Sequence, residues 1–307
     1  MWWKTKDVTK QVLLFAFQNV GIAALYWRVR GRRRMTILCY HTASDEPVPA
    51  YPNNIMSVAA FERQMSYLRR HRNVISLDEC VDRLRRGTKM SDGAVALTFD
   101  DGYKSCLDTV APILGRHGFG GTFFISPGFI DRGEPKWDDW LYFTWKPFAK
   151  QLLRKSRGEV ERMISQTQPA TDALRALKAA CATALLTWEE ARALRERGHS
   201  VQSHGLNHYF LSAQSSADQE IELAESKRRL EQALGVEAPY VAYPFGTKEC
   251  YTAETRRLAQ QAGYTAGFSG ENGYAEDSPD LFSIRRMTIG RNTPFWKFKL
   301  MLSGLYF

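Results

Sequence analysis

Six short runs rich in Val, Ile, Phe and Tyr stand apart along this chain, and helical patterns fill most of the gaps between them. The runs are TILCY (36–40), AVALTF (94–99), TFFI (122–125), SVQS (200–203), YVAY (240–243) and YTAGF (264–268). Ser57 precedes a helix that repeats Phe61, Met65 and Leu68 at i, i+4 and i+7. Ser76 with Glu79 forms a capping box, and Gly87 stands where that helix should stop. Thr187 with Glu190 repeats the device before Gly198, and IELAESKRRLEQAL closes at Gly235. Strands that alternate with helices point to a parallel sheet or a barrel. At 307 residues there is room for one large α/β barrel or two smaller domains.

One stretch breaks the rhythm. From about 131 to 186 no strand signal appears, and WDDWLYFTWKPFAKQLLRK leads into an Ala- and Leu-rich helical pattern. This reads as a helical insertion over one face of the sheet. Its aromatics Trp137, Trp140, Tyr142 and Trp145 either line a sugar or lipid site or form the insertion's own core.

A net charge of +9 suggests a nucleic-acid partner until the charge is located. Residues 1–34 hold Lys4, Lys6, Lys10, Arg28, Arg30, Arg32, Arg33 and Arg34 against Asp7 alone. The rest of the chain is nearly neutral, so no nucleic-acid partner is expected. Cys39, Cys80, Cys106, Cys181 and Cys250 are scattered, without a CxxC pair, which excludes a disulfide framework and a thiolate zinc site. The apolar run VLLFAFQNVGIAALYW (12–27) is shorter than the ~20 residues of a spanning helix. No small-residue cleavage site follows it, and arginines do. We therefore expect residues 1–34 to associate with a membrane surface, the apolar run in the interface and the arginines on anionic lipid. The cytoplasmic face of an inner membrane is favoured over a periplasmic or cell-surface anchor. A helix packed on the body is the plain alternative. The aromatic tail 291–307, which contains FWKFKLMLSGLYF, fits a substrate held at a membrane.

The chemistry concentrates where strands end. In VALTFDDGY (95–103) a strand runs straight into Asp100 and Asp101, with Gly102 allowing a sharp turn. The C-terminal ends of barrel strands carry active sites. Successive residues there point in different directions, so one carboxylate can bind a cation while the other works as a base. A second constellation, SHGLNH (203–208), again follows a strand. His204 and His208 are four apart, a spacing that lets two imidazoles reach one ion. Gly205 stands where the zincin pattern H-E-x-x-H has its glutamate, so the base must come from elsewhere in the chain. Asp100 or Asp101 completes a two-His-one-carboxylate site and supplies that base.

TFDDG, the H-x-x-x-H of SHGLNH, and YPFG (243–246) together resemble the signature of the polysaccharide deacetylases, the nodulation-factor-deacetylase-like enzymes of carbohydrate esterase family four. The resemblance spans roughly residues 35–290. It implies a distorted (β/α) barrel of about seven strands, and hydrolysis of an N-acetyl group on an amino-sugar glycan with one divalent metal, zinc ahead of cobalt or nickel. By position it assigns Asp101, His204 and His208 to the metal, Asp100 to the base, and the Phe245 N–H to the oxyanion.

Two positions depart from the family pattern. An arginine often precedes the proline of the third motif, but Ala242 and Tyr243 stand before Pro244. Arg285 or Arg286 in SIRRMTI is the candidate replacement beside Asp100, with Tyr243 as further support. The family's late acid histidine is also missing, since no histidine follows His208. His41, in ILCYHT at the end of the first strand, is the candidate acid. That order resembles the circularly permuted poly-N-acetylglucosamine deacetylases. The alternatives are a deacetylase or deformylase of a lipid-linked amino sugar in envelope biosynthesis, and an inactive glycan-binding homologue. A phosphotransferase built on the Asp pair lacks a glycine-rich phosphate loop.

Overall fold

A computed structural model describes residues 34–49, 54–88, 93–144, 154–167, 171–278 and 280–304. Residues 1–33, Trp145 and the last three residues of the tail lie outside the described residues. In chain order the strands are β1 (Thr36–Tyr40), β2 (Thr42–Ala43), β3 (Ile55–Met56), β4 (Asn73–Val74) and β5 (Ala94–Phe99). Then follow β6 (Thr122–Ile125), β7 (Ser200–Ser203), β8 (Tyr240–Ala242), β9 (Ala266–Phe268) and β10 (Met287–Thr288). Each of the six expected runs forms a strand. The four two-residue pieces were not foreseen, because so short a segment carries no period to read.

The main sheet runs β10-β1-β5-β6-β7-β8-β9, with β4 pairing on β5, and every pairing in it is parallel. Ile284 bridges Phe268 of β9, while Met287, three residues on, pairs with Leu38 of β1. The segment 284–288 thereby joins the last strand to the first and curls the sheet into a distorted (β/α) barrel.

Alternation along the strands sorts the core. Val95, Leu97 and Phe99 of β5 belong to the cluster shared with the surrounding helices. Ala94 and Ala96 belong to a second cluster with Ile37, Phe124, Phe268 and Ile284. Small residues on β5 leave space there for large ones opposite. Register places Tyr40 beside Phe99 and Phe99 beside Phe123, with ring centroids 5.6 and 4.8 Å apart. Burying each such ring is worth about 1.5–3 kcal/mol, so this row pins the ends of β1 and β5 to β6 beside the Asp100–Asp101 turn.

The helices are α1 (Val58–His71), α2 (Leu77–Arg85), α3 (Ala111–His117), α4 (Pro127–Arg132), α5 (Trp137–Thr144) and α6 (Arg157–Gln166). They continue with α7 (Asp172–Thr183), α8 (Trp188–Glu196), α9 (Ser216–Leu234), α10 (Ala253–Gln261) and α11 (Phe295–Met301). Ser57, Ser76 and Thr187 cap α1, α2 and α8, and Gly235 ends α9 at φ 66°. Among the described residues no helix is long and apolar enough to cross a membrane.

The insertion is helical, as expected, but it does not simply cover a sheet face. Its last residues are sewn to the Asp100–Asp101 turn, Lys104 N–H donating to Ala184 O at 2.7 Å and Leu186 N–H to Gly102 O at 2.9 Å. Its first residues reach the strand ends, as described below. The segment expected as an aromatic tail carries α11, which buries Phe298, Leu300 and Met301 and sets Phe295 and Phe298 against Tyr67 of α1.

Candidate active site

Asp101, His204 and His208 converge above the barrel, their ligand atoms all within 4.8 Å of one another. Asp101 Oδ1 lies 3.5 Å from His204 Nε2 and 3.2 Å from His208 Nε2. His204 Nδ1 donates to the Ala242 carbonyl at 2.7 Å, which commits Nε2 as the free lone pair facing the carboxylate. Two imidazole nitrogens and a carboxylate oxygen, all buried, form the donor set that suits a zinc-like divalent cation.

Backbone strain marks the same place. Among the described residues only three non-glycine positions have positive φ: Asp101 at 76°, His208 at 55° and Phe245 at 60°. Such conformations cost about 1–3 kcal/mol each and persist where the surroundings impose them. Here they turn a metal-ligand candidate, a second one, and the proposed oxyanion donor toward one cleft.

Asp100 is the better-defined partner of the pair. Arg286 grips it with both ends of the guanidinium, Nη1 to Oδ1 at 2.8 Å and Nη2 to Oδ2 at 2.7 Å. Arg286 itself is fixed by the Ser269 carbonyl and the Thr98 hydroxyl. Burial alone would push the Asp100 carboxyl up, but the Arg286 charge and hydrogen bonds, with the His204 and His41 charges, together outweigh it and hold the group down at about 2. Oδ2 stands 4.0 Å from His204 Nε2, so an ionised carboxylate borders the ligand set without belonging to it. Of the two arginine candidates, the structure thus places Arg286 beside Asp100. Arg285 lines a separate cavity with Lys248, Arg256 and Glu271.

The cleft over these groups has a volume of about 870 Å³ and is walled by His41, Trp137, Tyr142, Phe210 and Phe245, among others. His41 is partly exposed in it, and its Nδ1 is buried without a hydrogen-bond partner. Burial pushes the His41 imidazole down, while the Asp101 and Asp100 charges pull it back up. Tyr243, expected as support, lines the cleft, but its hydroxyl is committed to the Phe282 carbonyl at 2.9 Å and its ring stacks on Tyr251. Phe245 packs its ring 4.6 Å from that of His208. Of the insertion's aromatics, Trp137 and Tyr142 reach the cleft, whereas Trp140 is buried in the core.

The sequence profile of the polysaccharide deacetylase family matches residues 87–267, more than half of the chain. The chain belongs to the polysaccharide deacetylase family. Members of that family are hydrolases of N-acetyl sugar amides. The matched span holds Asp100, Asp101, His204, His208 and Phe245, but neither His41 nor Arg286. YxkH of Bacillus subtilis (strain 168), whose name assigns it provisionally to the polysaccharide deacetylases, is 23% identical over 259 residues, covering 83% of this chain and 71% of that protein. The Streptococcus pyogenes deacetylase PplD, solved in complex with acetate, superposes with a TM-score of 0.65 at 20% identity, over 88% of this chain and 98% of that one. IcaB from Ammonifex degensii does so with a TM-score of 0.60 at 18% identity, over 88% and 97%. At those identities the likeness establishes the polysaccharide deacetylase fold.

Several residues of this deacetylase site escaped the sequence reading. Lys136 and Asp138 open the insertion, yet both line the cleft. Their signal was a run of charges inside an aromatic stretch. Cys39 donates its thiol to Asp100 Oδ2 at 3.3 Å, and nothing in its spacing separates it from the other cysteines. Glu222 of α9 accepts from the Asn207 backbone and side-chain N–H groups, and so hangs the His204–His208 loop on the helix. Its signal was legible, since Gln219, Glu222 and Ser226 share the buried face of α9 with Leu223 and Leu230.

Proposed function

We propose that this chain removes N-acetyl groups from an amino-sugar glycan using one divalent cation, zinc ahead of cobalt or nickel. The observation that carries the reading is an ionised, arginine-clamped carboxylate bordering a buried two-histidine, one-carboxylate set. Asp101, His204 and His208 would hold the cation, which when bound supplies Lewis acidity toward an amide oxygen and toward water. Asp100 accepts the proton of the attacking water through an oxygen that Arg286 keeps oriented. Among the described residues the Phe245 N–H has no acceptor, so it is free to donate to the developing oxyanion. His41, across the same cleft, gives its proton to the departing sugar amine. Solved structures whose titles name a polysaccharide deacetylase and a de-N-acetylase share this fold, which supports an N-acetylated polymer as substrate.

The test is acetate release from a panel of polymeric and lipid-linked N-acetyl sugars. Activity should vanish with a chelator and return with zinc. His204→Ala and His208→Ala should lose metal and turnover together. His41→Ala should keep zinc affinity and lose ~10²–10⁴-fold in kcat. Full activity in His204→Ala would overturn the assignment of the site, and near-normal kcat in His41→Ala would remove His41 as the acid.

We also propose that the body sits on an anionic membrane surface with the cleft turned outward. Arg34 feeds β1 at the N-terminal pole of the parallel strands, paired with Glu276 and Asp277 and lying over the Tyr274 ring. The cleft is at the opposite pole. Arg72, just beyond α1, donates to the Leu302 carbonyl after α11, so both helices end near that same pole. Arg63, Arg69, Arg70, Arg72, Lys297 and Lys299 lie on or beside these two helices, whose own sequence holds one acidic residue, Glu62. A bilayer there leaves the cleft free for a polymer, and a lipid-linked sugar headgroup would lie on the wrong side.

A further inference from the structure

His204 has its acceptor, but His208 does not. Its Nδ1 is buried and makes no hydrogen bond. Facing it at 3.4 Å is Asp138 Oδ1, also buried and also without a hydrogen bond. Two orphaned polar atoms directed at each other inside a folded protein call for an explanation, because such groups are rarely left unpaired. The separation counts as an ion-pair contact at the outer edge of hydrogen-bond range, where the two groups do not make the bond. A cation on His208 Nε2 would oblige Nδ1 to carry the proton, and a shift of about half an ångström would then close the bond.

The neighbouring groups are arranged around that contact. Lys136, 2% exposed, donates to Asp138 Oδ2 at 2.5 Å and lies 3.5 Å from Asp101 Oδ2. Asn54 Nδ2 reaches the same Asp101 oxygen at 3.4 Å. The far oxygen of Asp101 is thus engaged, leaving Oδ1 to face the two imidazoles. The segment that carries Lys136 and Asp138 is latched to the histidine loop on either side. Trp137 Nε1 donates to the Asn207 carbonyl at 3.1 Å, and Arg132 Nη1 to Asn207 Oδ1 at 2.9 Å.

We propose that Asp138 is the positioning residue of His208, and that the start of the insertion is a clamp that pre-forms the metal site. The inference rests on the metal reading above and goes beyond it, since it assigns to the insertion a part in holding the ion. Lys136 makes the arrangement tolerable by placing one ammonium between the carboxylates of Asp138 and Asp101. In this role Asp138 acts through the imidazole.

The experiment measures zinc affinity of the full chain by competition with a chelating dye, starting from the metal-free protein. Outer-shell partners of a ligand histidine typically carry 10–100-fold in affinity. Asp138→Ala should weaken zinc binding toward the upper end of that range. Asp138→Asn, which keeps its shape and an acceptor oxygen, should lose no more than about tenfold. The cobalt-loaded form of each variant should show a shifted visible spectrum. Melting of the metal-free protein in chelator separates a merely structural role, which would lower the melting temperature and leave zinc affinity alone. Zinc affinity within threefold of the parent in both variants overturns the proposal, and if Asp138→Ala does not fold, an unchanged affinity in Asp138→Asn does so by itself. Failure of the parent chain to take up zinc would instead overturn the metal reading.

Discussion

Asp100 shows how much one contact decides. Its burial favours the neutral acid, and the Arg286 guanidinium, joined by the nearby His204 and His41, reverses the balance. Because the folded value lies below the ordinary ~3.9, the pair contributes stability that is fully present above about 4 and is lost as pH falls toward about 2. Arg286→Met removes that contribution and leaves burial as the largest influence on Asp100. We expect a loss of about 3–5 kcal/mol in urea denaturation near neutral pH. The acid limb of the kcat profile should move up by at least one pH unit; an unmoved limb would mean that Asp100 is not the base. At this scale the sequence was legible for Asp100, Asp101, His204 and His208, whose chemistry lies in contiguous motifs. It left Arg285 and Arg286 open. The choice follows from alternation: Ile284 faces the inner cluster, and Arg286, two residues on, points the same way.

The loops after the strands do work that the strands cannot. Phe245 holds positive φ because the next residue, Gly246, is pressed against the loop after β9. Gly246 O accepts from Gly270 N–H at 2.8 Å. A Cβ on Gly246 would lie 2.3 Å from Gly270 N and 2.8 Å from its Cα, both backbone atoms that cannot swing aside. Gly246→Ala should therefore cost more than the ~1–2 kcal/mol of a left-handed alanine and carry the Phe245 N–H out of place. Gly235→Ala is the control, since φ is also positive there but nothing lies within 4 Å. Urea denaturation should show the larger loss for Gly246→Ala, and kcat should fall only in that variant. Equal losses in the two would show that crowding at Gly246 is unimportant. Elements long enough to show a period or a cap were legible: the six strands, α1, α2, α8 and α9. The two-residue strands β2, β3, β4 and β10 exist only because neighbours offer them a partner.

At the scale of the whole molecule the near-neutral charge of the body conceals an asymmetry. Cations gather on α1 and α11, toward the pole where Arg34 leads into β1, and the carboxylates of the site lie at the other end. The full chain should sediment with vesicles containing phosphatidylserine and be released as salt rises from about 0.1 to 0.5 M, over which the screening length shortens. Deleting residues 1–33, or reversing Arg69 and Arg70 to glutamate, should weaken that binding without loss of deacetylation of a soluble substrate. A full-length protein that stays in the supernatant would dismiss the membrane proposal.

The sequence by itself determined the alternating architecture, the family, and the four residues at its motifs, because those depend on periodicity and on neighbours along the chain. Tertiary structure alone decided that Arg286 rather than Arg285 meets Asp100, that Lys136 and Asp138 belong to the cleft, and that Tyr243 spends its hydroxyl elsewhere. Each of those contacts joins residues tens to nearly two hundred positions apart. Closing the barrel through 284–288 and folding the insertion back over the strand ends brings them within reach, and no local pattern encodes that closure.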